Sequence, residues 1–525
     1  MRYLSNIDNK ISRGVTSLYL SNLISLIIIT SHFAILTNIL STTEIGVLIG
    51  LQIIMFAIAT LANFSLPLPI MSSLPIPHSL TKFLPLFLGS GRKGNAISFF
   101  RISLLIVIII TLPLLILVIL SADEIANSIF RGEIMSSSIK LAAVQILFFT
   151  LNQFFFAGLV GLGRSGYAGL LQAIAIFVRY GLAAGFVFMG YGIPGALLGY
   201  LCGDILFVML SAPICFSKLS GISETQSPKT MLSYSSPLLV SSLIIFGTTQ
   251  MDRIVTFLQL GLPELGIYTV AVAASTIGAY APNAITIALI PALSSFLAKN
   301  DYDSFRSLSK RYTRYVSLIG VPTSIMIAAL AVPLTLIFGP EYRESALPAS
   351  ILSLSIGLTA FTSVYNGQLL ASKGSKVIMF ANVIGLVVFA AILVFLVPTF
   401  GFVGAALGKS AMIIIVGSLT IYFSHRYGYF VLDYMALIYS IVASSIMGIV
   451  LYGTSFIIGG YLRQVVSLIF LIPLGIIIYL LSLRMLKAFN MDDLIFVQGI
   501  FPQRWKSLTG IIAKVIGVKL EKEHQ

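Results

Sequence analysis

Apolar residues run along this chain in long, nearly unbroken stretches, parted by short polar turns. Crossing the hydrocarbon of a bilayer takes about 20 residues of helix. Stretches of that length recur at 15–38, 44–64, 97–120, 137–160, 166–189, 194–217, 230–260, 265–297, 312–338, 345–371, 376–398, 402–424, 432–457 and 462–488. In lipid every backbone N–H and C=O has to be satisfied within the segment, so continuous runs of this kind are helices. The pattern predicts an all-α polytopic membrane protein with about 14 transmembrane helices. The first run is too long for a signal-peptide core and no small-residue cleavage site follows it, so it reads as a retained helix.

The turns repeat as well as the runs. Tyr191-Gly-Ile-Pro-Gly195-Ala-Leu-Leu-Gly199 and Phe400-Gly-Phe-Val-Gly404-Ala-Ala-Leu-Gly408 lie 209 positions apart and share five of nine residues. At the same offset Phe156 and Gly158 meet Tyr365 and Gly367, and Arg164 meets Lys373. Ile129-Phe130 meets Ile337-Phe338 at an offset of 208, and Thr43–Val47 meets Pro263–Ile267 at 220. The chain is thus two copies of a six-helix bundle followed by an extra helix pair. An even number of spans per copy gives both copies the same orientation, hence a pseudo-two-fold axis along the membrane normal. The expected organisation is an N-terminal lobe over 1–220, a second lobe over 221–425, the helix pair 13–14 over 426–490, and a basic cytoplasmic tail over 491–525. The longer first copy needs about a dozen extra residues between Glu44 and Ile129, which a loop carrying Pro67, Pro69, Pro75, Pro77 and Pro85 supplies; proline disfavours regular structure there. In the tail, Trp505, Leu508, Ile512 and Val515 recur at helical spacing among Arg504, Lys506, Lys514 and Lys519, the pattern of an interfacial amphipathic helix.

Composition agrees with the pattern. Of 525 residues 58% are hydrophobic and only 10% charged, with a mean hydropathy of +1.01; a soluble protein carries about 25% charged residues. The net charge of +14 points to topology rather than to nucleic acid. With the N-terminus in the cytoplasm, 25 of the 32 Lys and Arg residues flank cytoplasmic ends, and only Arg131, Lys140, Arg343 and Arg463 flank outer ones. The positive-inside rule therefore places both termini in the cytoplasm of a multi-pass plasma-membrane protein, with some attraction to anionic lipid headgroups. Cys202 and Cys215 stand about 20 Å apart on one helix, too far for a disulfide. Gly89-Ser-Gly-Arg-Lys-Gly94 matches a dinucleotide-binding pattern only formally, since no strand precedes it. No phosphate-loop motif and no clustered His or Cys occur, so neither an ATP-driven pump nor a cofactor or metal site is expected.

Ionisable groups inside spans cost at least about 2.5–3.5 kcal/mol and are functional candidates by default. They are Arg179, Asp204, Asp252, Arg253 and Lys409, joined by His32. The duplication sharpens the choice. Gly195 and Gly199 have glycine twins at 404 and 408, as close helix packing requires. The charges have none: Arg179 falls on Val388, Asp204 on Ile413, Lys409 on Tyr200, and Asp252-Arg253 on His32-Phe33. Unmatched charges belong to the task rather than to the fold. Against this stands a structural reading in which Arg179 with Asp204, or Arg253 with Asp252, are neutral pairs that lock helices, Lys409 snorkels outward, and His32 is a packing residue. Four cationic or potentially cationic groups against two acids would make an electropositive interior, suited to a phosphate or pyrophosphate and poorly to a cationic drug.

These residues resemble the polysaccharide transporter branch of the multidrug/oligosaccharidyl-lipid/polysaccharide exporters, the O-antigen flippase (Wzx-like) group. The resemblance is carried by Asp252-Arg253-Ile-Val255 with Gly261-Leu-Pro-Glu-Leu-Gly-Ile-Tyr268-Thr-Val-Ala271, by Ile337-Phe-Gly-Pro-Glu-Tyr342, and by Asn382 with Pro398–Ala406. It covers residues 10–488. It implies 14 helices in two six-helix lobes around a central cavity, and transfer of polyprenyl-(pyro)phosphate-linked oligosaccharide from the cytoplasmic to the outer leaflet. Asp252-Arg253 fits that family's acidic–basic pair, and Arg179 and Lys409 fit its cationic cavity. A lipid II flippase of that superfamily has several basic residues in the first two helices, where this chain offers only His32. The expected partners are a lipid-linked oligosaccharide, membrane lipids, a coupling cation and glycan-assembly enzymes, without nucleic acid. The alternatives are a cation-coupled multidrug exporter of the same superfamily, which needs a more acidic cavity, and a membrane glycosyltransferase or polymerase, for which the first outer loop offers only Glu44.

Overall fold

A computed structural model of the protein describes residues 27–63, 78–221, 228–279, 293–372, 374–458 and 460–488. Pro67 to Pro77 of the proline-rich connection and the amphipathic pattern beyond 490 lie outside them. All described regular structure is helical, and each of the 14 expected spans contains helix among the described residues. Among the described residues eight helices are long and apolar enough to cross a membrane, two of them, Ser165–Lys218 and Lys376–Arg426, of double length. The Lys93–Leu120 helix shows how the surface is made: Leu105, Ile109, Leu112, Ile116, Leu117 and Leu120 are all exposed, as a lipid-facing helix requires.

The two double helices fold back at glycine. Gly192 has φ 54° and ψ −140°; Gly401, its twin 209 positions on, has φ 59° and ψ −143°. That backbone is open only to glycine, so the duplication read from the sequence returns as duplicated dihedrals. A second mark of the repeat is a reciprocal contact. A Cβ on Gly46 would lie 2.0 Å from the Leu262 carbonyl oxygen, and one on Gly266 would lie 2.4 Å from that of Thr42. Thr42 and Leu262, like Gly46 and Gly266, are twins at offset 220. Two surfaces that exchange matched contacts are related by a local two-fold, as the repeat predicts.

Contacts divide the chain into two compact units, Met1–Ile267 and Tyr268–Gln525. The Pro228–Gln259 helix opens the second copy in sequence yet packs with the first unit, against Thr42–Asn63. Among the described residues the first unit has two large apolar clusters, beside a small third of Phe56, Ala59 and Phe149. One gathers Leu36, Ile45, Phe130, Ala183, Leu197 and Leu265; the other gathers Leu80, Phe100, Phe154, Ala175, Phe207 and Cys215. Pro85, expected in the irregular connection, sits inside a helix, His78–Gly89. Leu80, Leu84 and Phe87 share one face of that helix and are buried in the second cluster, and this burial outweighs the lost backbone bond. In the second unit the Tyr434–Ile457 and Tyr461–Met485 helices are stitched to Tyr302–Ala329. Ser440 Oγ donates to the Ser317 carbonyl at 2.7 Å and Tyr479 OH to that of Leu318 at 2.9 Å. Arg314 bridges Asp433 at 3.4 Å.

Candidate functional site

Small residues bring the Ser165–Phe186 and Gly192–Lys218 helices together. Gly195, Gly199 and Gly203 recur every four residues and so form one ridge. A Cβ on Gly199 would meet Ala183 N at 2.1 Å, and one on Gly203 would meet the Arg179 Cβ at 2.3 Å. Arg179 lies one turn from Ala175 and one from Ala183, which belong to different apolar clusters. Asp204 is likewise flanked by Tyr200 of one cluster and Phe207 of the other. The close approach therefore places both charges in the seam between the clusters.

There Arg179 Nη1 donates to Asp204 Oδ1 at 3.0 Å. Asn152 Nδ2 donates to the same oxygen at 3.0 Å, and Gln145 Nε2 to Oδ2 at 3.5 Å. Asp204 is fully buried. The guanidinium is walled by three rings, with its carbon 5.1 Å from the centre of Tyr200, 5.5 Å from Phe149 and 5.6 Å from Tyr180. His32 completes the group: its Nε2 is 3.0 Å from Tyr200 OH, and its ring lies 4.7 Å from that of Tyr180. Three of the six sequence candidates, Arg179, Asp204 and His32, thus join Gln145, Asn152 and the three rings in one buried cluster drawn from four helices. Arg179 Nε, Gln145 Oε1 and Asn152 Oδ1 are buried without a hydrogen-bond partner among the described residues. Because the ion pair is internally neutral, the excess of cations rests on Arg253 and Lys409.

Those two make their hydrogen bond and ring contact with other residues. Asp252 is buried and Arg253 half-buried on Pro228–Gln259, where Arg253 Nη1 donates to Gln250 Oε1 at 3.1 Å. Among the described residues no ion pair joins Asp252 to Arg253. Lys409, in the second unit, sets its Nζ 5.4 Å from the centre of the Phe389 ring. The repeat gives this contact a meaning that the sequence did not. Phe389 is the twin of Tyr180, and Lys409 the twin of Tyr200, both at offset 209. Each copy holds one cation against the ring at this position, supplied by a different helix. A buried acid beside it is found in the first copy, where Asp204 stands; the second has Ile413.

Gln145, Asn152, Tyr180 and Tyr200 were missed as site residues. Gln145, Phe149 and Asn152 share a helix face at i, i+4 and i+7, and that spacing was the available signal. Neutral amides and phenols raise no alarm in a screen for charge.

The family described as "Polysaccharide biosynthesis protein" matches residues 94–347. A putative O-antigen transporter of Shigella flexneri is 24% identical over 308 residues, 57% of this chain and 73% of that protein. Among solved structures, the lipid II flippase MurJ in an inward closed conformation superimposes with a TM-score of 0.71 at 16% identity, over 92% of this chain and 99% of that one. A multidrug resistance MATE family transporter of the MOP superfamily, in its inward-facing conformation, gives a TM-score of 0.57 at 15% identity, over 84% and 96%. The fold found here is thus similar to that of the lipid II flippase and MATE structures.

Proposed function

From this kinship with the polysaccharide exporters, we propose that the chain is a flippase for polyprenyl-(pyro)phosphate-linked oligosaccharide, moving it from the cytoplasmic to the outer leaflet by alternating access. The observation that carries the reading is the 308-residue relationship to a putative O-antigen transporter, coextensive in part with the polysaccharide-biosynthesis match. The physical task is to take sugar and phosphate across about 30 Å of hydrocarbon, where unpaired polar groups cost several kcal/mol each. The guanidinium of Arg253 would hold the phosphate by charge-assisted hydrogen bonds, while the polyprenyl tail stays in lipid. The cluster around Arg179 and Asp204 would then be a polar core of the first unit, neutral in charge and supplied with spare amide oxygens.

Replacement of Arg253 by Ala is expected to abolish surface glycan in a cell that depends on this chain, with the variant still inserted in the membrane at normal abundance. Normal surface glycan in that variant overturns the assignment. The multidrug reading is favoured by the fold shared with the MATE structure and by the buried Asp204. It predicts raised drug sensitivity on deletion with unchanged surface polysaccharide. Against an enzymatic role, the one carboxylate of the first outer loop is engaged: Glu44 accepts from Ser41 N at 2.9 Å and from Ser41 Oγ at 3.0 Å, as a helix cap.

A further inference from the structure

The first unit has a cavity of about 500 Å3 that shares no lining residue with the ion pair, well inside the range of small-molecule sites. Its polar lining is Thr43, Ser128, Arg131, Glu133 and Glu264, and its apolar lining includes Phe257. The Phe257 ring is held by that of buried Phe130, 5.9 Å away. Ser128 and Ile129 reach the cavity from a π-helical turn, Ile125–Ile129, a wide geometry that recurs at functional sites.

Two departures from the internal repeat converge here. Arg131 has a left-handed φ of 53°, and its twin at offset 208 is Gly339, with φ 123°. The second copy fills this backbone position with the residue that suits it; the first sets an arginine there. Glu264 is the twin of Glu44, but the twin of Ser41 is Gly261. Glu44 is therefore bound to a serine that caps its helix. Glu264 has no such serine, makes no hydrogen bond or ion pair among the described residues, and lines the cavity. A fold that manages with glycine at one position and a capped glutamate at the other does not need these two side chains as they stand.

We propose that this cavity binds the sugar portion of the cargo through Arg131, Glu133, Glu264, Thr43 and Ser128, with Phe257 as its apolar wall. Sugar hydroxyls both donate and accept. Carboxylates take their protons, guanidinium N–H groups reach their oxygens, and Thr and Ser do either. One cation against two carboxylates leaves the lining net acidic, so it rejects phosphate and accepts neutral or amino sugars. The positive-inside count puts Arg131 at an outer end, where the glycan would arrive after transfer. That the sugar is cargo rests on the flippase reading.

The test is ligand-observed NMR on the detergent-purified full chain. Its probes are the oligosaccharide released by mild acid from the cell's lipid-linked glycan, and inorganic pyrophosphate. Surface glycan in a deletion strain carrying each variant is read in parallel. Wild type is expected to bind the oligosaccharide saturably. Glu264→Ala and Arg131→Gly should weaken that binding at least about tenfold, and the Gly variant should fold as wild type does because its twin position is glycine. Unchanged affinity in both variants, or pyrophosphate competing for the same site, overturns the proposal. Absence of sugar binding while wild type restores surface glycan sinks this site and leaves the flippase reading standing. Saturable, variant-sensitive binding in a chain that restores no glycan supports the site and sinks the flippase reading.

Discussion

The twin positions say what the fold needs at Arg179 and Asp204, because the second copy forms the same helix pair with Val388 and Ile413. Removing one partner of a buried ion pair strands the other, at a cost of about 3–5 kcal/mol, whereas replacing both with apolar groups of fitting shape is often neutral. Arg179→Val alone leaves Asp204 with only the amides of Asn152 and Gln145; Asp204→Ile alone leaves a guanidinium among three rings. Either single variant is expected to lose most of its folded population in thermal size-exclusion measurements. The double variant, Arg179→Val with Asp204→Ile, should recover most of that stability and still fail to export glycan. Recovery of both stability and export would make the pair a structural lock with no further part in transport. The spare Nε of Arg179 and the spare oxygens of Gln145 and Asn152 argue against so simple a role, since a lock needs no unmade bonds.

At the scale of helices the glycine ridge sets the spacing on which that pair depends. Gly203→Ala places a methyl 2.3 Å from the Arg179 Cβ and 2.6 Å from its Cα, atoms that cannot swing aside. Overpacking of this kind costs about 1–3 kcal/mol, and here it also draws Arg179 away from Asp204. The expected result is a lower midpoint in the thermal measurement for Gly203→Ala than for an alanine at Gly181, whose Cβ would meet nothing within 4 Å. Equal midpoints would mean that the helices are held by other contacts. The spans and the repeat were legible in the sequence because they follow from local hydropathy and from residues matched at a fixed offset, whereas the fold-backs at Gly192 and Gly401 appear only in the backbone angles. The His78–Gly89 helix was not. Its proline reads as a breaker, and only the burial of Leu80, Leu84 and Phe87, a tertiary fact, reverses that reading. The site was half legible for a related reason: buried charge is conspicuous in any apolar run, while the amides and phenols that complete the cluster are ordinary until helices bring them together. The pairing of Lys409 with Phe389 shows the same limit, since a cation without a sequence twin turned out to have one in space.

For the whole molecule the direction of transport and the place of the outer cavity depend on one quantity, the sidedness of the chain. The 25 basic residues at one set of helix ends against four at the other predict, by the positive-inside rule, that the richer ends are cytoplasmic. Single cysteines at Arg131, Arg343 and Arg463 should react with a membrane-impermeant maleimide in intact cells, in a Cys202→Ser, Cys215→Ser background. Those at Arg306 and Arg426 should react only after permeabilisation. Arg131, Arg306 and Arg426 are exposed among the described residues, so silence at any of them reports sidedness rather than burial. Labelling at 306 and 426 in intact cells, with 131 silent, would invert the chain. Export from the cytoplasmic leaflet would then need the phosphate to enter from the side where the net-acidic cavity stands, and the division of labour between Arg253 and the sugar site would fail with it. The two halves of the proposal are therefore tied to one measurement that needs no substrate.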